Sequence, residues 1–234
     1  MEEHQSTRSI MERNISTKSV DVRLKSPFTA VIAGPTGSGK TRLLVDFIAA
    51  SSSIADPPPE NIVYCYDVWQ PIFEELRSQG VQLHNGMIDV EELKGAGNSW
   101  LIIDDLMNEV VGGKRGEKNS GSDDLYTKHS HHYNISVFFV VQNVFLKNMR
   151  TISLNTHYFF LGKNPRDRTV VSRLASQAFP GKVPYVTEAF ADATENPYSF
   201  MLMGLRPETP DNMRLIGNYG RDNADPMVIY SPTV

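Results

Sequence analysis

The sequence predicts an α/β sandwich built on a mainly parallel central sheet. Three observations lead to that expectation. Short apolar runs alternate with segments of helical spacing along most of the chain. The runs are continuous in character and do not alternate with polar residues, as suits strands covered on both faces. The first run also leads straight into a glycine-rich loop with a helix behind it, the order of a phosphate-binding strand–loop–helix unit.

Residues 1–25 carry few large apolar side chains and read as a flexible N-terminal arm, or alternatively as a docking segment for a partner; residues 26–234 read as one domain. Phe28–Ala33 is the first strand, and Lys40–Ala50 has helical spacing through Leu43, Leu44, Phe47 and Ile48. Ser51–Glu60, with three consecutive prolines, reads as a surface connection. Asn61–Asp67 follows as a buried strand, Gln70–Gln79 as a helix, Asp89–Lys94 as a short helix and Ser99–Leu106 as a third strand. Asn108–Ser122, rich in glycine and charge, reads as a mobile loop. Asp123–Tyr133 reads as a helix, with Asp123 and Asp124 suited to its first turn. Ile135–Val141 and His157–Leu161 are the fourth and fifth strands, and Asp167–Phe179 is a helix spaced by Val170, Val171, Leu174 and Ala178. Another helix is expected after Pro184, then two β-like runs, Ser199–Leu205 and Met213–Gly217.

A chain of 234 residues suits one large α/β domain and buries a sizeable core without staples. Its formal charge of −4 argues against simple coating of nucleic acid, which takes a basic surface, but leaves room for a local basic face. Cys65 is the single cysteine, so there is no internal disulfide framework, and a reducing compartment fits. It lies in the apolar run Ile62–Tyr66 and reads as a buried core thiol. No apolar run approaches the roughly 20 residues of a membrane helix, and Met1–Lys18 lacks the apolar stretch of a secretory signal. The expectation is a soluble, intracellular protein without a membrane partner.

Gly34, Pro35, Thr36, Gly37, Ser38, Gly39, Lys40 and Thr41 fit the full Walker A pattern in its required context of strand before and helix after. Its glycines let backbone N–H groups turn inward and cradle phosphates at a helix N-terminus. Lys40, expected to lie exposed in the loop, suits the β- and γ-phosphates of ATP, and the Thr41 hydroxyl suits Mg²⁺. Trp100–Asp105 reads as a Walker B strand that carries Asp104 to its tip, where the carboxylate holds Mg²⁺ through water. Asp105 stands where many such ATPases place a glutamate that polarises the attacking water. The shorter acid leaves the base open between Asp105 and Glu109, one helical turn on. Gln142, at the end of the next strand, suits a γ-phosphate sensor.

Together with Walker A, the segments LIIDDLM (101–107), KHSHHYNISVFFVVQNVF (128–145) and LGKNPRDRTVVSRLASQAF (161–179) resemble the viral DNA-packaging ATPases of the FtsK–HerA superfamily. The resemblance is in particular to those of Polinton-type and related large DNA viruses, and it covers roughly Pro27 to Gly181. It implies a RecA-like core with added β-strands. The activity it implies is ATP-driven translocation of double-stranded DNA by a homo-oligomeric ring, a pentamer or hexamer. The partner it implies is a capsid or portal vertex protein, in an infected host cell or on the virion.

In cellular FtsK-like translocases an arginine just before the sensor strand acts on the neighbour's ATP. Here Lys128–His132 contains none, and His131 takes the aligned place. The trans-acting cation stays open between Arg166 and Arg168, the foremost candidates, and Lys128 or Arg150. For the cluster His129, His131 and His132 no cysteine or carboxylate completes a convincing ligand set, and it reads as a partly exposed helix face beside a subunit interface. Lys147, Arg150, Lys163, Arg166, Arg168, Arg173 and Lys182 read either as solvated helix faces or as phosphate-backbone and intersubunit contacts. Lys114 and Arg115 are further DNA-contact candidates. Two rivals stand beside packaging: a translocase or helicase of the same superfamily, and an ATP-gated virion-assembly scaffold with little turnover. The chain has no room for a second RecA-like domain, which weakens the helicase, while Asp105 keeps the scaffold open.

Overall fold

The computed structural model describes residues 11–14, 21–106, 132–145, 150–167, 169–220 and 226–232, without the side chains of 11–14 and of Thr151. Its first half runs β1 (Met11–Asn14), β2 (Leu24–Lys25), β3 (Thr29–Ala33), α1 (Lys40–Ala49), α2 (Ser51–Ile54), β4 (Ala55–Asp56), β5 (Asn61–Tyr66), α3 (Phe73–Ser78), β6 (Gln82–Asn85), a 3-10 turn (Val90–Leu93) and β7 (Ser99–Asp104). Then follow β8 (Ile135–Val141), α4 (Arg150–Leu154), β9 (Tyr158–Gly162), α5 (Thr169–Ala178), α6 (Val183–Ala193), β10 (Phe200–Gly204), a 3-10 turn (Asp211–Met213), β11 (Leu215–Gly217) and β12 (Val228–Pro232).

Ten strands form one sheet in the order β1-β12-β11-β10-β9-β3-β8-β7-β5-β6, and β2 pairs with β4 apart from it. From β9 through β6 the pairings are parallel; from β9 outward to β1 they are antiparallel. The loop-bearing strand β3 is separated from β7 by β8, so the tips of all three lie on one edge. This is the RecA-like P-loop αβα sandwich that the sequence predicts, with extra C-terminal strands.

Side chains of a strand point alternately to its two faces, and in β7 both sets are buried. Trp100 and Ile102 join α1 (Leu43, Leu44, Phe47, Ile48) and α3 (Phe73, Leu76) on one face. Leu101 and Ile103 join the opposite cluster, which α5 (Val171, Leu174, Ala175) and α6 (Tyr185, Val186, Ala189) cover. Each large apolar side chain so buried contributes roughly 1.5–3 kcal/mol. Cys65 is fully buried in this second cluster, as expected of a core thiol.

Three expectations change. Part of the stretch 1–25 is tied down: β1 pairs with β12, β2 pairs with β4, and Leu24 is fully buried. Arg206 holds the same stretch from the other side, its Nη2 donating to the carbonyls of Lys25 and Pro27. Ser51–Glu60 is more than a surface connection, since it forms α2 and β4 and buries Ile54 and Ala55. Besides β2 and β4, three strands of the ten-stranded sheet escape the sequence reading: β1, the edge strand β6 and the late strand β12. The expected loop Asn108–Ser122 and most of the helix Asp123–Tyr133 lie outside the described residues. Among the described residues no helix is long and apolar enough to cross a membrane.

Candidate nucleotide site

The turn from β3 into α1 is made by glycines. Gly37 and Gly39 have φ of +77° and +92°, in the left-handed region that side-chain-bearing residues rarely enter. Gly39 is also the residue before α1 and no side chain caps that helix, so its first N–H groups stay available to a bound anion. Gly34 N–H donates to the Val141 carbonyl at 3.2 Å, which fixes the start of the loop against the tip of β8.

Lys40 is not exposed as expected: 9% of it reaches solvent. Its Nζ curls back and donates to the carbonyls of Gly34 at 2.9 Å and Pro35 at 3.1 Å. Burial lowers its pKa, and the carboxylates of Asp105 and Asp104 oppose that fall. The lysine is thus stored inside the loop, held by neutral carbonyls that a phosphate oxygen outbids electrostatically.

Asp104 ends β7 with 5% exposure, on the face that carries α1. Its Oδ2 accepts from the Tyr64 hydroxyl at 2.6 Å. Burial pushes its pKa up to about 6, against the pull of that hydrogen bond and of Lys40, while Asp105 adds to the rise. Burial, with the Asp104 carboxylate beside it, pushes the Tyr64 hydroxyl well above its ordinary range, and the nearby Thr41 side chain pulls the other way. Asp105 turns away from the strand at φ +56° and is exposed.

Lys40, Thr41, Asp104 and Asp105 line one cavity of about 870 Å³, shared with Thr36, Gly37, Gly39 and Tyr198. That volume is on the scale of small-molecule sites, roughly 300–1,000 Å³. The residues fit a phosphate chain with a divalent cation. Gly37 and Gly39 line the cavity beside the uncapped first turn of α1, and the buried carboxylate of Asp104 lines it too. No group of three or more His, Cys, Asp or Glu among the described residues is placed to hold a metal by itself. Mg²⁺ does not need one, because it is commonly held by one or two carboxylates plus substrate phosphates.

The remaining candidates fall elsewhere. Gln142 follows β8 and is exposed; it lines a separate cavity of about 600 Å³ with Gly34, Lys163 and Phe190, on the other side of the loop's first residue. Arg166 sits exposed in the turn after β9, where its backbone N–H donates to Asn164 Oδ1, and it lines neither cavity. Arg150 is exposed at the start of α4. Two of the basic residues are otherwise engaged: Arg173 lies over the Phe145 ring at 5.7 Å, and Lys182 pairs with Asp211 at 3.9 Å. Glu109, Lys114, Arg115, Lys128, His129, His131, Lys147 and Arg168 lie outside the described residues.

Sequence reasoning missed Tyr64 and Tyr198. Nothing local marks Tyr64, which reads as one more apolar residue of β5. Only the placing of β5 beside β7 brings it to Asp104. Tyr198 lies in Glu195-Asn196-Pro197-Tyr198, a turn signal by composition that says nothing of its nearness to Gly39.

The sheet order and this glycine loop are those of the P-loop NTPase fold. No protein-family model and no curated protein matches the chain. Among solved structures it is similar to the genome packaging NTPase B204 from Sulfolobus turreted icosahedral virus 2 in complex with ATP-gammaS, at 15% identity and TM-score 0.46, over 78% of this chain and 94% of that one. It is also similar to the N-terminal domain of zonular occludens toxin from Neisseria meningitidis, at 16% identity and TM-score 0.40, over 68% of this chain and 97% of that one.

Proposed function

We propose that this chain hydrolyses Mg-ATP and, as a subunit of a homo-oligomeric ring, drives double-stranded viral DNA into a capsid. The observation that supports the ATPase is the convergence of Lys40, Thr41, Asp104 and Asp105 on one cavity with the glycine loop. DNA packaging, the capsid or portal partner and the setting in an infected cell rest on the sequence resemblance over Pro27–Gly181.

In the proposed reaction water attacks the γ-phosphate and ADP leaves. The loop N–H groups and Lys40 hold the phosphates, Lys40 trading the Gly34 and Pro35 carbonyls for phosphate oxygens. Thr41 and, through water, Asp104 would hold Mg²⁺, which when bound would neutralise charge on the β- and γ-phosphates. Tyr64 keeps the Asp104 carboxylate aimed. Asp105, or Glu109, orients the water, and Arg166 or Arg168 reaches a neighbour's site; Gln142, the expected γ-phosphate sensor, lines the adjoining cavity beside Gly34. Catalysis of this kind is positioning and electrostatics.

The test is ATP turnover with and without duplex DNA, alongside the mass of the oligomer. A ring whose turnover rises with DNA, and whose Lys40→Ala form is folded but inactive, is the expected result. Near wild-type hydrolysis by pure Lys40→Ala overturns the ATPase. ATP binding and ring assembly with little turnover, with or without duplex DNA, move the reading to the ATP-gated scaffold, which the short and exposed acid at position 105 favours.

A further inference from the structure

We infer that Tyr198 is the platform on which the base of the bound nucleotide stacks, so that this site takes a nucleoside triphosphate through an aromatic subsite as well as through its phosphate loop. The inference rests on the reading of that loop as a nucleotide site and deepens it.

After α6 the chain returns to the sheet through Thr194–Ser199, and this connection passes over the glycine loop. Tyr198 has φ +64°. A bulky residue in the left-handed region is an outlier, and such conformations persist where surrounding structure imposes them, often at ligand clamps. Tyr198 is 63% exposed, whereas Phe200, two residues on, is 5% exposed in the core. The chain therefore adopts an uncommon backbone conformation at a large, mostly exposed aromatic residue.

That ring does not stand at random. A Cβ built on Gly39 would lie 3.2 Å from Tyr198 Cβ and 3.3 Å from Cδ1. Glycine at position 39 thus serves two purposes: it takes φ +92°, and it lets the tyrosine close down on the first turn of α1. Tyr198 and Pro197 then line the same cavity as Thr36, Lys40, Thr41 and Arg42. A triphosphate seated on residues 36–41 would place its nucleoside in that same cavity, within reach of Tyr198. Aromatic faces stack on every base, so this subsite recognises the presence of a base more than its identity.

The experiment compares equilibrium binding of ATP and of inorganic tripolyphosphate to the full chain. Wild type, Tyr198→Ala and Tyr198→Phe are measured side by side. Loss of one base–aromatic stack weakens binding by roughly 5- to 150-fold. Tyr198→Ala is expected to lose about that much ATP affinity and to bind tripolyphosphate as wild type does, while Tyr198→Phe, which keeps the ring, recovers most of the ATP affinity. Parallel loss of both ligands in Tyr198→Ala would make the ring a prop for the loop and overturn the inference, as would unchanged ATP affinity. If wild type bound neither ligand, the nucleotide reading itself would fail, a result distinct from failure of the stack.

Discussion

Replacing Asp104 by Asn should stabilise the nucleotide-free and metal-free protein at neutral pH. The carboxyl of Asp104 is raised from 3.8 to about 6, mainly by burial. Folding therefore binds its proton more tightly, and between about pH 4 and 6 the folded state holds a proton that the unfolded state has released. Stability falls as pH rises through that window and stays lowered above it. About two pH units at 1.36 kcal/mol each amount to roughly 3 kcal/mol at pH 7.5. Asn cannot ionise, matches the shape, and still offers an oxygen to the Tyr64 hydroxyl, so it escapes the penalty. For a chain of this size 1 kcal/mol moves Tm by about 2–4 °C, so the variant should melt roughly 6–12 °C higher. At pH 4 most of the difference should be gone. Thermal melts of both proteins in chelator at the two pH values decide it, and comparing variant with wild type cancels the other acids. A variant no more stable than wild type at pH 7.5, or equally favoured at both pH values, would refute the argument that this carboxylate is held against its own solvation.

Three further outcomes are expected. Tyr64→Phe should reduce the Mg²⁺-dependent enhancement of ATP binding by roughly 10- to 100-fold, the usual scale for a group that orients a metal ligand, with Mg²⁺-free ATP binding unchanged; equal loss in both would make Tyr64 purely structural. Asp105→Asn should slow turnover by roughly 10²-fold or more and Glu109→Gln by less, and the reverse order would make Glu109 the base. Mixing Lys40→Ala subunits with subunits carrying both Arg166→Ala and Arg168→Ala should restore part of the turnover, since a cation acting across an interface is worth roughly 10³–10⁵; no recovery in mixed rings shown to form would remove these arginines from trans catalysis.

The central strands were legible because burial on both faces writes itself as an unbroken apolar run. Ile135–Val141 is bounded by the same residues in sequence and structure. β6 was not legible, because an edge strand needs one neighbour only, and Gln82–Asn85 is polar and partly exposed. β1 and β12 are each held by a partner far away in sequence, a fact no local pattern carries. The glycine loop and Asp104 could be read from residue type and spacing. The burial of Lys40 could not, since it depends on where the Gly34 and Pro35 carbonyls point. Nor could Tyr64 and Tyr198, which enter the site through register and through a returning loop.

A strand is also a ruler. Each residue of β7 advances the chain by about 3.3 Å and turns the side chain to the other face. Trp100 and Ile102 anchor one set of marks and Leu101 and Ile103 the other, so the distance from core to carboxylate is set by counting. Deleting one residue from 99–103 would either withdraw Asp104 by that step or send both sets of anchors to the wrong face. A 2.6 Å contact with Tyr64 has no slack of that size. The nucleotide site should thus tolerate changes in what the strand is made of far better than any change in how long it is.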